Sequence, residues 1–164
     1  MVLGGVSLTL AAAAPAERGA LKVECKLAAI HYLGTTKQRQ KVCLTLTADG
    51  KALRQYQFAG RFKCGDGSTQ GGLVQIEATS SLVQVDGLVT LGSSAGSGKI
   101  VTKLRADGSF SHSADGAPSV FTGKVGKTLA TGSLREHYEY GGASSGMATC
   151  DLGKTTWSAR RAPR

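Results

Sequence analysis

Nowhere in the chain do 18 apolar residues follow one another, so no helix able to span a bilayer is expected in the mature chain. Proline is scarce, three in 164 residues, and no Pro-rich or charge-rich linker divides the chain, which reads as one domain. Aromatic residues are 5% of the total and are not interleaved with basic ones. That argues against a base-stacking platform, and hence against nucleic acid as partner. No C-x-x-C is present, so the usual zinc spacings are missing and no metal site is expected. No G-x-S-x-G surrounds any serine. Ser93 to Ile100, SSAGSGKI, approaches the phosphate-binding loop pattern but places Ser93 at its first glycine and Ile100 where a Ser or Thr should hold magnesium. No cofactor is expected on these grounds. Helical periodicity over 12 or more residues is absent too.

What remains is alternation. Short apolar/polar runs of period two recur between turn signals, as in Lys41 to Thr47 (KVCLTLT), Leu53 to Cys64, Leu73 to Ala78, Ser81 to Val85, Leu88 to Leu91 and Val120 to Val125. In the last of these Phe121, Gly123 and Val125 fall together. Further on, Ala130, Gly132, Leu134, Glu136, Tyr138 and Tyr140 share a phase in one run, and Thr155, Trp157 and Ala159 share another. Five of the six aspartates (Asp49, Asp66, Asp86, Asp107 and Asp115) directly precede glycine, the composition of tight hairpin turns. About ten short strands result. The pattern predicts an all-β domain, a single antiparallel meander closing as a β-sandwich or an up-and-down barrel.

The domain organisation follows from composition. Residues 1–16, MVLGGVSLTLAAAAPA, are apolar and uncharged and end in Ala14-Pro15-Ala16, which fits the small-x-small cleavage site of a signal peptide. Residues 17–29 form an N-terminal segment tethered by Cys25, and residues 30–162 form the β domain. An exported chain with four cysteines, Cys25, Cys43, Cys64 and Cys150, is expected to hold two disulfides, for which the sequence allows three pairings. Strand phase favours Cys64 with Cys150, both on apolar faces. Cys43 lies out of phase with Val42, Leu44 and Leu46, on the outward side, where Cys25 can reach it.

Certain runs taken together carry a resemblance. They are Tyr32-x-Gly34-Thr35, Ala48-Asp49-Gly50, Phe58 to Cys64 ahead of Asp66-Gly67, Ala106-Asp107-Gly108-Ser109-Phe110, Ala130-Thr131-Gly132-Ser133-Leu134, and Cys150-x-x-Gly153-x-x-x-Trp157-x-Ala159. Over Ile30 to Arg161 the chain resembles a group of small exported β-rich proteins of actinobacterial type that have no assigned activity. The resemblance implies export, an all-β fold and the Cys64 to Cys150 pair; Cys25 and Cys43 are not part of it.

Chemistry-bearing residues are few. His31, His112 and His137 are the histidines. His137 shares a strand face with Glu139, and Glu136 is the one acid in an apolar phase, expected at a sheet end in solvent. A small secreted hydrolase would have to use His137 with Glu136 or Glu139. An inhibitor of an exported enzyme would display a rigid loop such as Gly92 to Gly98 or Gly141 to Gly146.

Charge is the stronger signal. The formal net charge is +9, yet Cys64 to Gly98 holds no basic residue and three acids. Lysines and arginines gather at Lys37, Arg39 and Lys41, at Lys99, Lys103 and Arg105, and at Arg160, Arg161 and Arg164. Such a field attracts anionic polymers and surfaces. The expected function is that of an exported, non-catalytic domain binding an anionic cell-wall or extracellular polymer, or a protein, at the cell surface. Its expected contacts are Lys99, Lys103, Arg105, Arg160 and Arg161.

Overall fold

The computed structural model describes residues 23, 30–77, 81–85, 88–92, 102–113, 120–142 and 146–163. They form thirteen strands and no helix, so the all-β expectation holds. Six strands follow in order: β1 (Ile30–Thr36), β2 (Lys41–Leu46), β3 (Ala52–Cys64), β4 (Thr69–Glu77), β5 (Ser81–Val85) and β6 (Leu88–Gly92). A two-residue β7 (Thr102–Lys103) precedes β8 (Ser109–Ser113), β9 (Val120–Val125) and β10 (Leu129–Arg135). Last come β11 (His137–Gly142), β12 (Gly146–Asp151) and β13 (Thr155–Arg161). All pairings are antiparallel. The hydrogen-bonded path runs β6-β5-β4-β3-β2-β1-β13-β10-β9-β8 and does not close.

β3 is the spine. Thirteen residues long, it pairs with β2 and β4 along its middle, with β7 at Ala52 and Leu53, and with β12 at Lys63 and Cys64. Through these end pairings the sheet curls until β8 and β9 face β3. The curl is filled with rings: Tyr56 of β3 stacks on Phe121 of β9 at 4.2 Å, and Phe121 on Trp157 of β13 at 5.1 Å, each within 10° of parallel. Phe58 and Phe110 flank this column. Such aromatic pairs add to the area that each ring buries.

The strand phases read from sequence face this column. Phe121, Ala130, Leu134, Trp157 and Ala159 are buried, and β13 alternates strictly between buried and outward positions along Thr155 to Arg160. Gly123, Gly132 and Trp157 occupy one row across β9, β10 and β13, so the indole lies over two strands that carry no side chain there.

Cys64 and Cys150 stand opposite each other in the β3–β12 ladder and form a disulfide, as strand phase and the resemblance both imply. Cys43 is disulfide-bonded as well; its expected partner Cys25 lies outside the described residues, as do residues 1–16 and the cleavage site.

Three readings are corrected. Ala130 to Tyr140 is two strands, because β10 pairs with β9 and β13 whereas β11 pairs with β12, and the chain changes partners at Glu136. Glu136 is buried at that break and does not lie in solvent. Cys43 is on the face of β2 turned away from the rings, yet it is fully buried, and so are Thr45 on the same face and Gln57 beside it in β3. That face holds a second, polar layer, in which Gln57 Nε2 donates to Gln75 Oε1 at 2.9 Å.

Candidate functional site: a cationic mouth at one end of the sheet

At one end of the curled sheet β1 begins, β2 ends, β3 begins, and β9 and β13 end. Between these strand ends opens a cleft of about 1220 Å³ whose wall includes residues 46–52, 103–108 and 125–127 with Ile30, Tyr32 and Arg161. Mouths of β-barrels are common places for ligand sites.

Two turns of like sequence, Ala48-Asp49-Gly50 and Ala106-Asp107-Gly108, both line this mouth. Asp49 Oδ1 accepts from Thr47 Oγ1 at 2.6 Å and from the Lys51 N–H at 3.1 Å; Asp107 Oδ1 accepts from the Ser109 N–H at 3.0 Å. A carboxylate bonding the backbone two residues on is the reason aspartate suits such turns. The glycines that follow have φ of 70° and 82°, the left-handed region where a side chain is strained. The turns are tied together, since the Leu104 N–H donates to the Lys51 carbonyl at 2.9 Å. The second is also fixed to β9 through Val125 N–H to the Gly108 carbonyl, 2.9 Å. A third turn closes the ring: the Tyr32 hydroxyl donates to the Gly126 carbonyl at 2.8 Å.

This framework holds five exposed cations around the opening: Lys51, Lys103, Arg105, Lys127 and Arg161. Asp49 and Asp107 are the carboxylates in the wall; Asp49 is bonded by Thr47 and the Lys51 backbone and feels the Lys51 charge, and Asp107 is held by Ser109 and Lys124. Hydrogen bonds from Thr47 and Lys51 lower the pKa of Asp49. Asp107 is brought down to about 2, first by its hydrogen bonds from Ser109 and then by Lys124, whose Nζ lies 3.5 Å from Oδ2. Among the described residues no carboxylate forms an ion pair with any of the five. A cleft lined mainly by one sign of charge concentrates counter-ions of the other.

Of the cations expected from sequence, Lys103, Arg105 and Arg161 meet here. Arg160 is exposed but points to the other face of β13, and Lys99 lies outside the described residues. Lys37, Arg39 and Lys41 surround the β1–β2 turn at the opposite end of the sheet. Lys51 and Lys127 escaped the sequence reading, though each directly follows a glycine turn, Gly50-Lys51 and Gly126-Lys127.

The histidines are dispersed. His31 is buried in β1, and His112 Nδ1 lies 2.9 Å from Thr102 Oγ1 with its ring edge-on to Tyr56. His137 is half-buried between two acids, with Nε2 3.6 Å from Glu139 Oε1 and Nδ1 3.5 Å from Asp151 Oδ2. Asp151 also faces Arg135 at 3.7 Å and accepts the Gly153 N–H. Glu136 acts elsewhere: its charge, after burial, helps hold the Tyr56 phenol protonated. His137 and its acids do not line the cationic mouth. The loop 93–98 and residues 143–145, expected as display loops, lie outside the described residues.

Comparison with family models, with curated proteins and with solved structures finds no match. The site is therefore read from its own chemistry.

Proposed function

We propose that the protein is an exported, non-catalytic β domain that binds an anionic partner at the cell surface through the cationic mouth. A single observation carries this reading: Lys51, Lys103, Arg105, Lys127 and Arg161, scattered over more than a hundred residues of sequence, surround one cleft, and no described carboxylate pairs with them. Export is supported by the apolar, uncharged residues 1–16 and by the Cys64–Cys150 disulfide, a bond that persists in oxidising compartments. The resemblance to small exported proteins of actinobacterial type points the same way. The partner class is an anionic extracellular polymer, such as a teichoic acid or an acidic polysaccharide, or a protein with an acidic surface.

Retention on immobilised heparin along a salt gradient tests the reading. The intact protein is expected to elute at progressively lower yield from the column as salt is reduced, and Lys103→Glu/Arg105→Glu to elute at clearly lower salt than the parent. Lys37→Glu/Arg39→Glu, at the far end, should shift elution less. Equal shifts from both pairs, or retention indifferent to salt, would refute the mouth as the binding site.

A further inference from the structure

The cationic rim surrounds an apolar floor. Three hydrophobic side chains pack on the core while remaining partly uncovered, Ile30, Leu104 and Val125, and all three line this cleft. Leu46 and Ala52 lie beneath them. Among the described residues, the partly buried hydrophobic side chains packed on the core are these three, whereas the more exposed Leu33, Val120 and Leu129 lie outside the cleft.

Several backbone N–H donors around the floor are already committed. Thr47 N–H bonds the Ala52 carbonyl, Gly50 N–H that of Thr47, Arg105 N–H that of Ser109, Gly108 N–H that of Arg105 and Gly126 N–H that of Leu129, all at 2.8 to 2.9 Å. The Tyr32 hydroxyl proton is given to Gly126. A sugar seated on this floor would exchange hydrogen bonds to water for contacts with methyl groups, a loss unless partners replace them. An alkyl chain gains from the same surface in proportion to the area it covers. The rim asks for negative charge and the floor for hydrocarbon.

From this we infer that the cleft takes a single-chain anionic amphiphile, its carboxylate or phosphate held by the rim cations and its alkyl chain laid on Ile30, Leu104 and Val125. The inference rests on the reading of the mouth as an anion site and goes beyond it: a polymer or acidic protein would engage the rim alone, whereas the amphiphile also covers the floor. The volume, about 1220 Å³, exceeds the usual range for small-molecule pockets and leaves room for such a chain. The two Asp-Gly turns fix the walls in advance, which reduces the ordering cost of binding.

The test uses the full chain and isothermal titration with octanoate, decanoate, laurate and dodecyl phosphate below their micelle concentrations, with dodecyl maltoside and inorganic phosphate as controls. Affinity is expected to rise at least about tenfold from octanoate to laurate, because each buried methylene contributes up to roughly fourfold. Dodecyl phosphate should bind like laurate, and both controls should bind at least tenfold more weakly. Val125→Thr, which keeps the shape of the side chain, and Leu104→Ser should flatten the chain-length dependence. Lys103→Gln/Arg105→Gln should weaken all the anions and leave that dependence intact. Circular dichroism confirms that each variant is folded. Affinity independent of chain length, or dodecyl maltoside binding as tightly as laurate, overturns the inference. If heparin retention meanwhile stays sensitive to salt and to the rim variants, the anionic-partner reading survives; if neither the alkyl anions nor heparin is bound, both fall.

Discussion

The Cζ2 edge of the Trp157 indole lies 2.6 Å from where a Cβ on Gly123 would stand, although the two residues belong to strands two apart in the sheet. Gly132, on the strand between them, is under the same edge at 2.7 Å. The indole sits flat against Phe121 because nothing projects from β9 and β10 beneath it. A methyl group at either glycine must displace the ring or push strands apart. Gly123→Ala and Gly132→Ala are each expected to cost about 1–3 kcal/mol through overpacking. Gly132→Ala should be the worse, since its Cβ would press on the Thr122 carbonyl more closely than a Cβ on Gly123 would approach the Thr131 carbonyl, 2.8 Å away. Thr131→Ala, outward on the same strand, should stay within about 0.5 kcal/mol of the parent. Urea unfolding followed by the fluorescence of the single tryptophan measures all three.

The Cys64–Cys150 bond closes 86 residues of sequence. A loop of that length contributes roughly 4–5 kcal/mol by restricting the unfolded chain. Cys64→Ala/Cys150→Ala should lose about that amount, a large part of what domains of this size possess. A denaturation midpoint unchanged in the double variant would contradict this.

Acid should weaken the fold through its turns. Asp49, Asp66 and Asp107 all have pKa values below the ordinary carboxylate value: Thr47 is the first cause at Asp49, Ser68 at Asp66 and Ser109 at Asp107, which reaches about 2. A folded-state pKa below the unfolded one gives stability that is present above about pH 4 and is lost as pH falls toward 2. Melting temperature should therefore drop over that window. Asp107→Ala should make the drop shallower while lowering the melting temperature at neutral pH.

Base should act through tyrosine. Burial, and after it the charge of Glu136, pushes the Tyr56 phenol well above its usual value; burial also raises Tyr32, with Arg161 opposing. Here the folded state holds protons that the unfolded state releases. The stabilisation is complete below about pH 10 and disappears as pH climbs beyond it. Part of the phenolate absorbance is expected to appear only together with loss of the strand signal in circular dichroism, and Tyr56→Phe should remove that part. Four tyrosines ionising near pH 10 in a folded protein would show the reading of Tyr56 to be wrong.

Much of this architecture is legible in the chain because its rules are local. Phe121-x-Gly123-x-Val125, Ala130-x-Gly132-x-Leu134 and Thr155-x-Trp157-x-Ala159 announce their inward faces by period two, and the described Asp-Gly pairs at 49, 66 and 107 are turns as composition requires. Cys64 and Cys150 could be matched by phase alone. Burial of the second face of β2 was not legible, since alternation marks Cys43 and Thr45 as outward and says nothing of what covers them. Nor was the break at Glu136, where the apolar phase continues from Leu134 to Tyr138 while the hydrogen-bond partners change. The candidate site was half visible: Lys103 and Arg105 cluster in sequence, whereas Lys51, Lys127 and Arg161 join them only because five strand ends converge.

β13 runs between β1 and β10, with Tyr32 opposite Arg161 on one side and Leu129 opposite Arg160 on the other. β13, far along the chain from β1, thus joins the run of the first six strands to β10 and its neighbours. Without it the halves would still meet where β3 pairs with β7 and β12, but the edges of β1 and β10 would be left without their shared partner. Pairing across so much intervening sequence makes folding slow, because the chain must close a long loop before either edge is rewarded.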